Sequence, residues 1–341
     1  MSTAPVFLSR IEAKIEQQLS SQKVGYLIGA GTSYLDRRGY PLTSDLWGSI
    51  GSKVRAEERN EIQQKLDGGA TGIEMALDLL DDGSAIEKPH RHLVMEAIAE
   101  YFQTITPPTD VHQNFIRRLA SRDELDIPIF SLNYDGLVEL ASDIERVPLV
   151  DGFQGMERPY FDPQVFQELR GIRLRGRREF QVHWKKGSLR LYKLHGSLGW
   201  FDLGNNEVRK LGLSTKTPEG AKRLMVPPQH RKGIETTSLP YSALWSDFRA
   251  KLCNGPSPLN RLVVIGYGMG DEHLNAVIEN ALVRDDFTLL IFAQVLRPEF
   301  ISRWSSKRNV VIVTQSQSSL NGEIGQGHEN LWDFGTLAGR V

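Results

Sequence analysis

Four short clusters carry the residue types that chemistry needs. Gly29-Ala30-Gly31-Thr32-Ser33 directly follows an apolar run at residues 24–28. Glycines there permit a tight turn and close backbone approach to a phosphate, and a helix amino terminus behind them adds positive potential. The same turn also suits an ordinary strand-to-helix connection. Asn133-Tyr134-Asp135 ends a second apolar run, 127–132, and His195-Gly196-Ser197 ends a third, 189–194. A histidine exchanges protons near neutral pH, with a reference pKa of about 6.5. An asparagine can orient water or a hydroxyl. An aspartate at such a junction accepts a ligand hydrogen bond, caps a helix, or does both. The fourth cluster, Gly266-Tyr267-Gly268-Met269-Gly270-Asp271, ends the run at 261–265, and Asp271 stands where it could cap a helix from Glu272.

Those clusters need elements to hold them. Phe7, Leu8, Ile11, Ile15 and Leu19 recur at helical spacing, which predicts an amphipathic helix over 6–20. Residues 44–106 read as helical, with breaks at Asp67-Gly68-Gly69 and Asp81-Asp82-Gly83 and a stop at Pro107-Pro108. Residues 109–120 read as a further helix, with Thr109 or Asp110 as cap and Val111, Phe115, Ile116 and Leu119 on one face. Apolar runs at 288–295 and 309–314 add two strands. The stretch 151–190 reads as irregular and basic, 203–223 as a polar loop, and 316–341 as a polar tail. Strands alternating with helices predict an α/β fold with a parallel sheet. In open sheets of that kind ligands lie beyond the carboxyl ends of the strands. The four clusters therefore converge on one crevice.

Composition narrows the class. The 341 residues contain one cysteine, Cys253, which excludes an intramolecular disulfide and a four-thiolate zinc ribbon. Lys and Arg number 41 against 42 Asp and Glu, a net charge of -1 that argues against a globally basic nucleic-acid binder. Hydrophobic residues at 40% and charged residues at 24% argue against a disordered chain. No apolar run approaches the ~18 residues of a membrane span, and the charged amino terminus lacks the apolar core of a signal peptide. These features predict a cytoplasmic protein. The remaining histidines, His90 and His92 included, show no metal-ligand spacing.

A dinucleotide fingerprint of the dehydrogenase type requires G-x-G-x-x-G/A, and its last position here is Tyr34. The clusters in order resemble the sirtuin superfamily instead. Gly29–Ser33 is similar to its GAG-x-S turn, and Gly39-Tyr40-Pro41 to the glycine-x-proline step after it. His112 lies in the helix before the second motif, and Ser131-Leu132-Asn133-Tyr134-Asp135 resembles the T-Q-N-x-D strand end. Lys193-Leu194-His195-Gly196-Ser197 resembles the catalytic K-x-H-G segment, and Gly266-Tyr267-Gly268 stands at the turn against the adenosine ribose. The resemblance covers about residues 24–295. It departs from the deacylases in lacking paired zinc cysteines and in reading Leu42-Thr43-Ser44 after the proline. Asn133–Asp135, His195–Ser197 with Trp200, Gly266-Tyr267 with Asp271, and Met225–Pro228 before Trp245 look like the zinc-free, NAD-degrading sirtuin-like proteins of bacterial antiphage defence.

That resemblance implies a Rossmann-like parallel sheet with helices on both faces. It implies a catalytic domain of residues 1–43 and 107–315 with a helical insertion at 44–106. NAD would be the substrate, cleaved at the nicotinamide–ribose bond, with no metal. His195 would be the general base, Asn133 would orient water or the ribose, and Asp135 would accept from the nicotinamide carboxamide. Gly29, Ala30, Gly31, Thr32 and Ser33 would cradle the diphosphate, and Gly266, Tyr267 and Asp271 would face the adenosine half. A free NADase harms its own cell, so gating is expected through a homo-oligomer or a separate ATPase, translocase or nucleic-acid sensor. The chain itself carries no G-x-x-x-x-G-K-[ST]. The basic stretch 170–190, with Phe180 and Trp184 interleaved, could contact such a partner or be a solvated loop. Two other functions share the same residues: an NAD-dependent protein deacylase, and a non-catalytic module that binds NAD or ADP-ribose.

Overall fold

The computed structural model describes residues 4–80, 89–169, 171–175, 180–226 and 238–341. Helix α1 (Ala4–Leu19) buries Phe7, Ile11, Ile15 and Leu19 along one stripe, the spacing of an amphipathic helix. Strand β1 (Val24–Ile28) is buried at every residue. The turn after it enters α2 (Ala30–Tyr34), only five residues long, which stops where Leu35 takes a left-handed φ of 50°. Helices α3 (Thr43–Ile50), α4 (Ala56–Asp67), α5 (Ile73–Leu80) and α6 (Pro89–Phe102) follow and close an apolar core of their own around Ile50, Ile62, Leu77 and Ile98.

Helix α7 (Asp110–Ala120) leads to β2 (Asp126–Ser131) and α8 (Leu137–Glu145). Three two-residue strands come next, β3 (Leu149–Val150), β4 (Phe153–Gln154) and β5 (Tyr160–Phe161). An antiparallel hairpin of β6 (Gly171–Arg175) and β7 (Phe180–Trp184) precedes β8 (Ser188–Lys193). Then follow β9 (Gly196–Asp202), β10 (Val208–Lys210), β11 (Lys222–Met225) and α9 (Tyr241–Arg249). The last part runs β12 (Arg261–Ile265), α10 (Glu272–Ala281), β13 (Thr288–Phe292), α11 (Pro298–Ser305), β14 (Val310–Val313), β15 (Gln317–Leu320), β16 (Glu323–Gln326) and α12 (Phe334–Ala338).

The central sheet has the order β16-β15-β14-β13-β12-β1-β2-β8-β3 and is parallel except where β15 and β16 join its edge. Successive strand residues face opposite sides. Leu262 and Val264 enter the core beneath α9, α10 and α11, while Val263 and Ile265 enter the core beneath α1, α7, α8 and α12. The expected α/β architecture, a mostly parallel sheet with helices on both faces, is therefore present.

Three expectations change. Residues 203–223 are not one polar loop, because β10 lies within them and pairs with β9. Strands β11-β9-β10-β5-β4 form a second sheet, and its Gly196 and Gly199 dilute the strand pattern in sequence. The stretch 151–190 is not irregular throughout, since it contains the β6–β7 hairpin. Residues 316–341 are not a polar tail. Leu320, Leu331, Phe334 and Leu337 are buried against the sheet, and these few apolar residues are spaced too widely among Ser and Gly to show a periodicity. The expected break at Asp81-Asp82-Gly83, the Pro227-Pro228 step, His230, and Arg170, Arg177 and Arg178 lie outside the described residues.

Candidate functional site

A cavity of about 260 Å³ opens at the carboxyl ends of β1, β2 and β12 and the turn after β8. From β1 the chain moves to β2 on one side, and from β12 to β13 on the other. The cavity thus lies at the point where strand order reverses, the place where open α/β sheets bind ligands. Two glycine turns meet there. Gly29 N donates to Ile265 O at 2.9 Å and Gly31 N to Gly266 O at 2.8 Å. A Cβ on Gly31 would stand 2.7 Å from Gly266 Cα, and Gly266 itself has φ +64°. Only glycine permits that approach and that backbone. Thr32 N also bonds within the turn, to Gly29 O at 2.9 Å. Three of the backbone donors expected for a diphosphate are therefore committed to closing the turn.

A buried polar layer joins this turn to the end of β2. Asn133 Nδ2 lies 3.1 Å from Gly29 O, 3.1 Å from Thr32 Oγ1 and 2.9 Å from Ser33 Oγ. A carbonyl can only accept, so the amide NH2 must face Gly29 and Oδ1 must face the opposite way. Ser33 Oγ donates a hydrogen bond to Asp135 Oδ2 at 2.8 Å, and Asp135 Oδ1 accepts from Leu137 N at 3.0 Å at the start of α8. Each carboxylate oxygen has a second lone pair that these bonds leave for a ligand.

His195 occupies the two-residue turn between β8 and β9, where the chain passes from one sheet to the other. Its carbonyl accepts from Val226 N at 2.9 Å. The next residue, Gly196, has φ +77°, and a Cβ there would lie 2.1 Å from Leu224 O. The ring is buried, with Nε2 3.3 Å from Asp271 Oδ2. Asp271 Oδ1 caps α10, accepting from His273 N at 3.0 Å and Leu274 N at 3.2 Å. Tyr267 Oη accepts from Asp271 N at 2.6 Å, and burial beside the Asp271 carboxylate holds the phenol pKa well above its usual value. Lys193, fully buried, donates to Asp135 O and pairs with Glu139 Oε1 at 3.0 Å, which ties the end of β8 to the loop after β2.

The helices of 43–102 cover the cavity. Leu46, Glu74, Ile98 and Phe102 line it, and Tyr40 stacks on Phe102 with ring centroids 4.2 Å apart. Burial, with Asp135 nearby, pushes the Tyr40 phenol pKa up. Arg223 on β11 pairs with Glu96 on α6 at 3.2 Å and so fastens this cover to the second sheet. Sequence reasoning missed Leu46, Glu74, Ile98 and Phe102, because an amphipathic helix hides in its pattern which apolar residues meet a cavity and which meet a core. His112 is not in the cavity lining. It is buried against Phe334, and burial lowers its pKa to about 4.

Of the residues expected at the site, Gly29, Ala30, Ser33, Asn133, Asp135, His195, Gly266, Tyr267 and Asp271 line this one cavity. Gly31 and Thr32 do not; Gly31 abuts Gly266 and Thr32 Oγ1 donates back to Gly29 O at 2.9 Å. Among the described residues no group of three His, Cys, Asp or Glu side chains could hold a metal ion, and no helix is long and apolar enough to cross a membrane. No curated protein sequence matches the chain significantly. The SIR2-like domain family matches residues 128–313, which run from β2 through β14 and take in Asn133, Asp135, His195 and Asp271. The chain therefore belongs to the SIR2-like domain family, within the NAD-using sirtuin superfamily.

Proposed function

We propose that this protein is an NAD glycohydrolase that releases nicotinamide and ADP-ribose. The observation that supports this most is the wall formed by Asn133, Asp135 and His195 beside the glycine turn, at the switch point of a SIR2-like sheet. The nicotinamide–ribose bond breaks with its electrons leaving on a cationic pyridinium, and the sugar becomes oxocarbenium-like. Little covalent assistance is needed. The protein has to hold the two ends of the substrate and deliver water. Water adds to C1′ of the ribose as nicotinamide departs, and His195 takes the water proton, directly or through a ribose hydroxyl. Asn133 Oδ1, turned away from Gly29, orients the water or the ribose. Asp135 accepts from the carboxamide. Gly29, Ala30 and Ser33 meet the diphosphate side, while Gly31 and Thr32 build the turn behind them. Gly266, Tyr267 and Asp271 stand on the other wall.

The resemblance of the motif set supports a role in antiphage defence, with the activity gated by self-assembly or by a separate ATPase, translocase or nucleic-acid sensor. The test is nicotinamide release from NAD by the purified chain in each oligomeric state it forms. Wild type releases nicotinamide, and His195→Ala and Asn133→Ala lose at least ~10²-fold in kcat. Equal turnover in all three overturns the assignment. Release that requires an acylated peptide replaces it with a deacylase. NAD loss in infected cells that depends on His195 supports the defence role, and its absence counts against it.

A further inference from the structure

We propose that Asp271 is a positioning residue that fixes His195 with its proton on Nε2, which leaves Nδ1 as the proton acceptor. This rests on the NADase reading for its catalytic meaning, though not for its geometry. The two side chains are buried and stand 3.3 Å apart, Nε2 to Oδ2. That separation is an ion-pair distance and not an aligned hydrogen bond, and the negative charge favours the tautomer that presents Nε2–H, instead of a lone pair, toward Oδ2. The other Asp271 oxygen is committed to two backbone N–H groups at the start of α10. The carboxylate is therefore aimed by a helix and not by a free rotamer, and its backbone N–H is held by Tyr267 Oη at 2.6 Å. On the other side, Val226 N and the positive φ of Gly196 fix the turn that carries the ring. A partner so placed sets which nitrogen keeps its lone pair.

The other charged and titratable groups near this corner are Lys193, Asp135, Tyr134, Glu74, Tyr267 and Tyr241. Lys193 is engaged by Glu139 and by main-chain carbonyls after β2. Asp135 is engaged by Ser33 and Leu137 N, and Tyr134 donates to Val226 O. Glu74 lines the same cavity as Tyr267, and the Tyr241 hydroxyl lies against Gly196. Asp271 is the carboxylate paired with the ring. Helix capping alone would need one oxygen of a Ser, Thr, Asn or Asp. Here the second oxygen also has a function.

The experiment combines 15N-histidine NMR of the purified chain with NAD kinetics on two variants, Asp271→Asn and Asp271→Ser. Both replacements can still cap α10, so the fold is kept. Subtracting the His195→Gln spectrum assigns the His195 ring nitrogens. Wild type shows the neutral ring protonated on Nε2. In Asp271→Asn the amide oxygen keeps the helix N–H groups and the NH2 faces the ring, so the proton moves to Nδ1. Turnover then falls ~10²-fold or more in kcat with KM within about threefold. Asp271→Ser loses about tenfold or more in kcat. A wild-type ring protonated on Nδ1, or both variants turning over within about twofold of wild type, overturns the proposal. If wild type cleaves no NAD, the NADase reading falls, and the tautomer in wild type and Asp271→Asn still decides whether Asp271 sets the ring.

Discussion

Ser33 Oγ donates to Asp135 Oδ2 at 2.8 Å, joining the glycine turn after β1 to the loop after β2 across 102 residues of chain. The same hydroxyl accepts from Asn133 Nδ2 at 2.9 Å. A serine that accepts from one catalytic candidate and donates to the other sets the spacing of both.

Ser33→Ala tests that link. It leaves a buried carboxylate oxygen and a buried amide short of a partner, a loss of about 1–3 kcal/mol. Urea denaturation should show that loss. Under the NADase reading KM for NAD should rise about tenfold, the equivalent of ~1.4 kcal/mol.

Gly196→Ala should be far more damaging than another glycine-to-alanine change at positive φ. Its Cβ would stand 2.1 Å from Leu224 O. The fold would lose more than ~3 kcal/mol or fail to form. Gly204 has φ +103° with nothing within 4 Å of a Cβ, so Gly204→Ala should cost only about 1 kcal/mol. Paired denaturation curves for the two variants check the contrast.

Lys193→Met removes one half of a buried ion pair. Glu139 and the carbonyls after β2 lose their cation, at a cost of about 3–5 kcal/mol. Adding Glu139→Gln removes the stranded charge and should recover part of the stability. A double-variant cycle measured in urea shows whether it does.

His112 makes stability fall in mild acid. Burial lowers its folded pKa to about 4 from 6.5, so the unfolded chain binds the extra proton between those values. Stability is insensitive to this residue above pH 6.5 and drops as pH falls from there toward 4, by up to about 3 kcal/mol. His112→Phe, which keeps an aromatic ring against Phe334, should flatten that part of the urea midpoint plotted against pH.

Much of the central sheet was readable residue by residue. The apolar runs at 24–28, 127–132, 189–194 and 261–265 are the strands β1, β2, β8 and β12 to within a residue or so. Each is a short buried segment bounded by glycine or polar residues, a local signal. The second sheet was not readable, because β4, β5 and β10 are only two or three residues long and owe their pairing to β9 and to one another. The carboxyl-terminal elements were missed for a related reason. Phe334 and Leu337 are held by the α7 face and the sheet, not by a pattern of their own.

The order of the four clusters, the parallel α/β class and the exclusion of a thiolate zinc site by a single cysteine were settled by the sequence. These depend on local hydrophobic periodicity, on the backbone freedom of glycine and on simple counting. The tertiary structure alone decided that Gly31 packs on Gly266 instead of facing the cavity, that Asp271 reaches His195, and that Tyr40, Glu74 and Phe102 cover the site. Those contacts join residues far apart in the chain. They exist because β12 lies beside β1 and because the chain leaves β8 for a second sheet at His195, and neither adjacency is encoded in any local run of residues.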